Sequence, residues 1–158
     1  MAVKQMLAQW NEFTASLRAE RFVDDQFSQL KQLQDESSPN FVIEVVYLFF
    51  DDSQKLIDEM GRALEQNSVD FKQVDDNVHQ LKGSSASIGA ARVKSWCVAF
   101  RDFCETKNLE IVRAEYYCSC SLHSLASPFL GVLENFIQTS NLGNICLVLL
   151  MSFHFLCG

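Results

Sequence analysis

His79, Lys82 and Gly83 stand within five residues of one another, in the run VHQLKGSS at 78–85. The run lies inside DFKQVDDNVHQLKGSSASIG, whose apolar residues recur at helical spacing. With residues set about 100° apart, Phe71, Val74, Val78, Leu81 and Ser85 form one stripe, which is the predicted buried side. His79 points well away from it. Asp75 and Asp76 share its face one turn before, and Lys82 and Gly83 one turn after. An imidazole is a nucleophile. Lys82 puts a positive charge where an anionic group carried on the ring would sit, and a phosphoryl group is such a group. Asp75 and Asp76 are expected to favour the imidazolium or to orient one ring nitrogen by hydrogen bonding. A glycine inside a helix costs ~1 kcal/mol relative to alanine. Four residues after His79, its missing side chain clears space through which a partner's active site can approach the ring. A solvated histidine beside a lysine is commonplace; the glycine and the offset from the core stripe set this one apart.

The elements that must position this face are also helical. Met6, Trp10, Phe13 and Leu17 predict a first helix, and VDDQFSQLKQLQDE a second with Phe27, Leu30 and Leu33 inward. Asp24 or Asp25 suits the second helix's N-cap. SSPNFVIEVVYLFFDDSQKLIDEMGRALEQNS predicts a long third helix, with Pro39 in its first turn, Ser37 or Ser38 near its cap, and Asn67 and Ser68 at its end. Its expected stripe is Phe41, Val45, Leu48, Leu56, Met60 and Leu64, with a surplus at Val46, Phe49 and Phe50. The helix around His79 is the fourth. In the fifth, AARVKSWCVAFRDFCETKN, the expected buried residues are Val93, Trp96, Cys97, Phe100 and Cys104. Short connectors between such helices predict an antiparallel bundle.

The 158 residues suffice for one domain with a core, and two prolines and six glycines leave little punctuation for a sheet. The net charge of −7 argues against binding nucleic acid or an anionic membrane. MAVKQMLAQWNEF lacks the apolar core of a signal peptide, so the six cysteines are expected in a reducing compartment. After Glu110 the composition changes: the last 48 residues carry only Arg113, Glu115 and Glu134 of the charged set. PFLGVLENFIQTS suits a short amphipathic helix after Pro128. The run ICLVLLMSFHFLC is 13 residues long, short of the ~20 a membrane span needs. Cys118, Cys120 and His123 fall short of the four ligands of a usual zinc site, and no metal site is expected.

HQLKGSSASIGAARV closely resembles the signature of plant histidine-containing phosphotransfer proteins. FVDDQFSQLKQLQDESSPNFVIEVVYLFFDDSQKLIDEM upstream and FRDFCETKNLE downstream resemble the same family, so the resemblance covers about residues 1–110. It implies an all-α fold, two N-terminal helices followed by an antiparallel four-helix bundle. It implies that His79 is the phosphorylated residue, with Lys82 and Gly83 as supporting charge and clearance and Gln80 at the docking surface. The implied partners are receiver domains, of a hybrid sensor histidine kinase as donor and of a response regulator as acceptor, in a cytokinin-type relay working in cytoplasm and nucleus. Such a protein is a phosphocarrier and not a kinase, and no nucleotide-binding motif occurs in the sequence. It needs no cofactor of its own, because the receiver supplies the aspartate and Mg²⁺. A monomer is expected.

The pattern departs from the family after KNLE. The family continues with a long, charge-rich last bundle helix; here VRAEYY echoes it, and SLHSLASPFL does not. The domain is therefore expected over 1–127, with an atypical last helix in which Tyr116, Leu122 and Leu125 substitute over a few turns. An apolar tail is expected over 128–158. A weakened bundle leaves open a transfer-deficient variant that binds receivers and competes with intact relatives. A redox or metal-binding role for the tail cysteines ranks third.

Overall fold

A computed structural model describes residues 2–35, 37–38 and 41–119, all of whose regular elements are helices. They are α1 (Ala2–Ala19), α2 (Asp25–Gln32), α3 (Phe41–Glu65), α4 (Phe71–Ile88), α5 (Ala91–Glu105) and α6 (Leu109–Ser119). Helices α3 to α6 form the antiparallel bundle, with α4 packed between α3 and α5, and α6 against α5 and α3. No helix among the described residues is long and apolar enough to cross a membrane. The expected boundary at residue 127, the tail over 128–158, and the substitutes Leu122 and Leu125 lie outside the described residues.

Caps fix where the helices start. Asp24 is the N-cap of α2, its Oδ1 accepting from Gln26 N–H at 2.9 Å. Ahead of α3, Asp35 Oδ1 accepts from the backbone N–H groups of Ser37 and Ser38, both at 2.9 Å, and the Ser38 carbonyl accepts from Phe41 N–H at 3.2 Å; Pro39 lies outside the described residues. Gln34 then reaches forward, and its Oε1 accepts from Val42 N–H in the first turn of α3 at 3.2 Å. Leu33, expected inward, is the C-cap of α2 and stands exposed. The helix ends before it, so the periodicity that pointed it inward no longer applies.

The buried face of α3 includes Leu56, Met60 and Leu64 of the expected stripe and the surplus at Val46, Phe49 and Phe50, and departs from the expectation at Leu48. Val42, Val46, Phe49, Phe50, Ser53, Ile57, Met60 and Leu64 are buried, whereas Leu48 is 64 % exposed. Phe41, Val45 and Leu48 run in phase with Asp52, Lys55 and Glu59, a charged face in the second half of the helix. That charged face leaves Leu48 in solvent, while Phe41 and Val45 stay half-buried against the core.

Gly89 joins α2 to the end of α4. It is the C-cap of α4 with φ +77°, and its carbonyl accepts from Asp24 N–H at 3.0 Å. A Cβ there would collide with the Phe27 backbone nitrogen. Over its described residues α6 is docked. Val112 and Tyr116 are buried; Tyr116 Oη donates to the Ile57 carbonyl at 2.8 Å, and Arg113 Nε to the Leu64 carbonyl at 2.8 Å. Gly61 makes room for the phenol, since a Cβ at that position would lie 2.6 Å from Tyr116 Oη.

Candidate functional site

The site is one face of α4. Asp70 caps the helix, accepting from the N–H groups of Lys72 at 3.0 Å and Gln73 at 3.2 Å. Val74, Asn77, Val78, Leu81, Ser85 and Ile88 form the buried side; Phe71 is half-buried at its edge. The serines after His79 turn inward on their own helix: Ser84 and Ser85 donate to the Leu81 carbonyl, and Ser87 to that of Gly83.

His79 and Gln80 are exposed, Lys82 is half-buried and Gly83 is exposed. By helical geometry Lys82 and Gly83 lie within about 60° of His79 around the axis, and Gln80 about 100° away, at the border of the face. Among the described residues nothing hydrogen-bonds or ion-pairs with the imidazole or with the Lys82 ammonium. A Cβ built on Gly83 meets no atom within 4 Å. The fold itself therefore does not require glycine at this position.

Asp75 does not do what its spacing suggested. Its carboxylate is held by Arg101 of α5 in a forked pair, Nε to Oδ1 at 2.6 Å and Nη2 to Oδ2 at 3.1 Å. Those hydrogen bonds, and behind them the charge of Asp75, raise the guanidinium pKa above its ordinary value. Arg101 is the residue of this region that the sequence reading missed. Nothing in its spacing announces a partner on another helix.

Deeper in the α4–α5 seam, burial pushes the Cys97 thiol up to about 12, slightly opposed by the Lys82 charge. Burial likewise pushes Cys104 up to about 11. Both are core thiols, as expected, and Trp96 stacks on Phe100 with ring centroids 4.8 Å apart. Cys118 is exposed; Cys120, His123 and His154 lie outside the described residues.

Residues 44–139 match the family model of the Hpt domain. Histidine-containing phosphotransfer protein 1 of Arabidopsis thaliana is 54 % identical over 113 residues, covering 67 % of this chain and 73 % of the relative. Pseudo histidine-containing phosphotransfer protein 6 of the same plant is 42 % identical over 134 residues, 79 % of this chain and 87 % of the relative. Among solved structures, the histidine-containing phosphotransfer protein MtHPt2 from Medicago truncatula superposes with a TM-score of 0.75 at 46 % identity, covering 88 % of this chain and 95 % of the other.

Proposed function

The chain belongs to the Hpt-domain family of plant histidine-containing phosphotransfer proteins, and from that premise we propose that His79 carries the phosphoryl group. The observation that carries the reading is an exposed imidazole without a hydrogen-bond or ion-pair partner among the described residues, beside a lysine and an open glycine position. In the forward step a lone pair on a ring nitrogen attacks the phosphorus of a receiver's aspartyl phosphate. The N–P bond forms, the P–O bond to the aspartyl carboxylate breaks, and its electron pair stays on that carboxylate. Lys82 offers a positive charge to the phosphoryl oxygens. Gly83 leaves the approach clear, and Gln80 borders the docking surface. The return step runs the same exchange onto the aspartate of a second receiver.

The proposed donor is a hybrid sensor histidine kinase and the proposed acceptor a response regulator, in a cytokinin-type relay acting in cytoplasm and nucleus. The protein acts as a monomeric carrier, and the Mg²⁺ that eases the transfer comes with the receiver. One relative is named a pseudo histidine-containing phosphotransfer protein. Family membership and transfer are thus separate questions, and a receiver-binding competitor is the second reading.

The test is transfer from a phosphorylated receiver domain to the purified full chain, with His79→Gln beside it. Acid-labile phosphate on the wild-type chain and none on the variant is the expected result. A soluble, folded chain that binds the receiver but takes no phosphate supports the competitor instead and overturns the carrier.

A further inference from the structure

We infer that Arg101 is a positioning residue for phosphoryl acceptance, masking the Asp75 carboxylate that would otherwise oppose the incoming group. The inference rests on the reading of His79 above. Asp75 and His79 stand four residues apart on one helix, so their Cβ atoms lie roughly 5–6 Å apart on the same face. A free carboxylate there has two ways to obstruct. It can bridge to the imidazole and occupy a ring nitrogen, or it can set its negative charge against the phosphoryl oxygens. The structure removes both. Each oxygen of Asp75 accepts a hydrogen bond from the guanidinium, at 2.6 and 3.1 Å, so the fork holds the carboxylate toward α5 rather than on the ring. The pair's net charge is zero, so Lys82 remains as the uncancelled positive group one turn on the other side of His79.

The geometry also explains why the masking residue is an arginine. Its planar fork fixes both oxygens at once, where a lysine offers one point charge on a flexible stem. The pair is not a deeply buried tie. Its side chains are 34 % and 39 % exposed, at the rim of the α4–α5 seam and toward the face that carries His79. Asp76, the other acid of this face, is exposed to solvent.

The experiment compares wild type, Arg101→Gln, Asp75→Asn, the double variant and Arg101→Lys for the rate of phosphoryl acceptance from a phosphorylated receiver, with melting temperatures alongside. Masking predicts that Arg101→Gln accepts about two- to fivefold more slowly at low salt, from a like-charge interaction one turn away. Asp75→Asn in that background restores the wild-type rate, because the exposed charge is gone. Asp75→Asn alone is not slowed, and Arg101→Lys falls between. In 1 M salt, where charges are screened beyond about 3 Å, the Arg101→Gln defect shrinks. A purely structural tie predicts something different: both single variants and the double lose rate and melting temperature together, without rescue. That pattern overturns the inference, as does an Arg101→Gln chain of unchanged rate. A wild-type chain that takes no phosphate overturns the His79 reading and this inference with it; a wild-type chain that does, with no rescue by Asp75→Asn, overturns this inference alone.

Discussion

Gly83→Ala is expected to move stability and transfer in opposite directions. Gly83 sits inside α4, and a Cβ there reaches no atom within 4 Å. The added methyl therefore meets no steric cost in the free chain, and alanine is favoured over glycine in a helix interior by ~1 kcal/mol. In a chain of this length each kcal/mol shifts the melting temperature by about 2–4 °C, so a rise of that size is expected. On the docked face the same methyl stands one turn from His79, in the space a receiver's active site must enter. Forcing one extra carbon into a closely packed contact costs about 1–3 kcal/mol, which at 1.4 kcal/mol per decade is roughly a fivefold to hundredfold loss in transfer. Calorimetry on the free chain and time courses of phosphoryl transfer measure the two effects separately. A stabilised variant with unchanged transfer would refute the clearance argument. A lowered melting temperature would refute the open geometry at Gly83 itself.

Gly89→Ala should do the reverse and destabilise by about 2–4 kcal/mol, from the left-handed backbone and the close approach of Phe27, read as an earlier midpoint in urea. Tyr116→Phe should lower stability by about 1 kcal/mol through the lost bond to the Ile57 carbonyl; an unchanged midpoint would mean that α6 is not docked there. Of the three described cysteines, iodoacetamide at pH 8 should modify Cys118 in the native chain and spare Cys97 and Cys104 until it unfolds, as mass spectrometry of the peptides would reveal. The same burial makes Cys97 a source of alkaline instability. Unfolded, the thiol ionises near 9; folded, it holds its proton to about 12. Stability should therefore be intact below pH 9 and fall as the pH climbs between those values, less steeply in Cys97→Ala.

Much of the site could be read before any fold was known, because its logic is local. The separation of His79 from Val74, Val78 and Leu81 follows from helical pitch alone. The caps at Asp24 and Asp70 depend on backbone groups two or three residues away. Where the reading failed, distance along the chain was the cause. Leu48 could not be placed from its own turn of α3, because the charged residues in phase with it, Asp52, Lys55 and Glu59, lie further along the rod.

What the sequence by itself determined is the helical class, the exposed histidine face and the chemistry that a histidine, a lysine and a glycine at that spacing imply. What only the tertiary structure decided is which of those residues are already engaged. Asp75 meets Arg101 across 26 residues, and Tyr116 reaches Ile57 across 59, over a glycine that makes room for it. Helical periodicity reports which side of a rod a residue occupies. The partner it meets there is set by the packing of one rod against another, which no repeat within a single helix encodes.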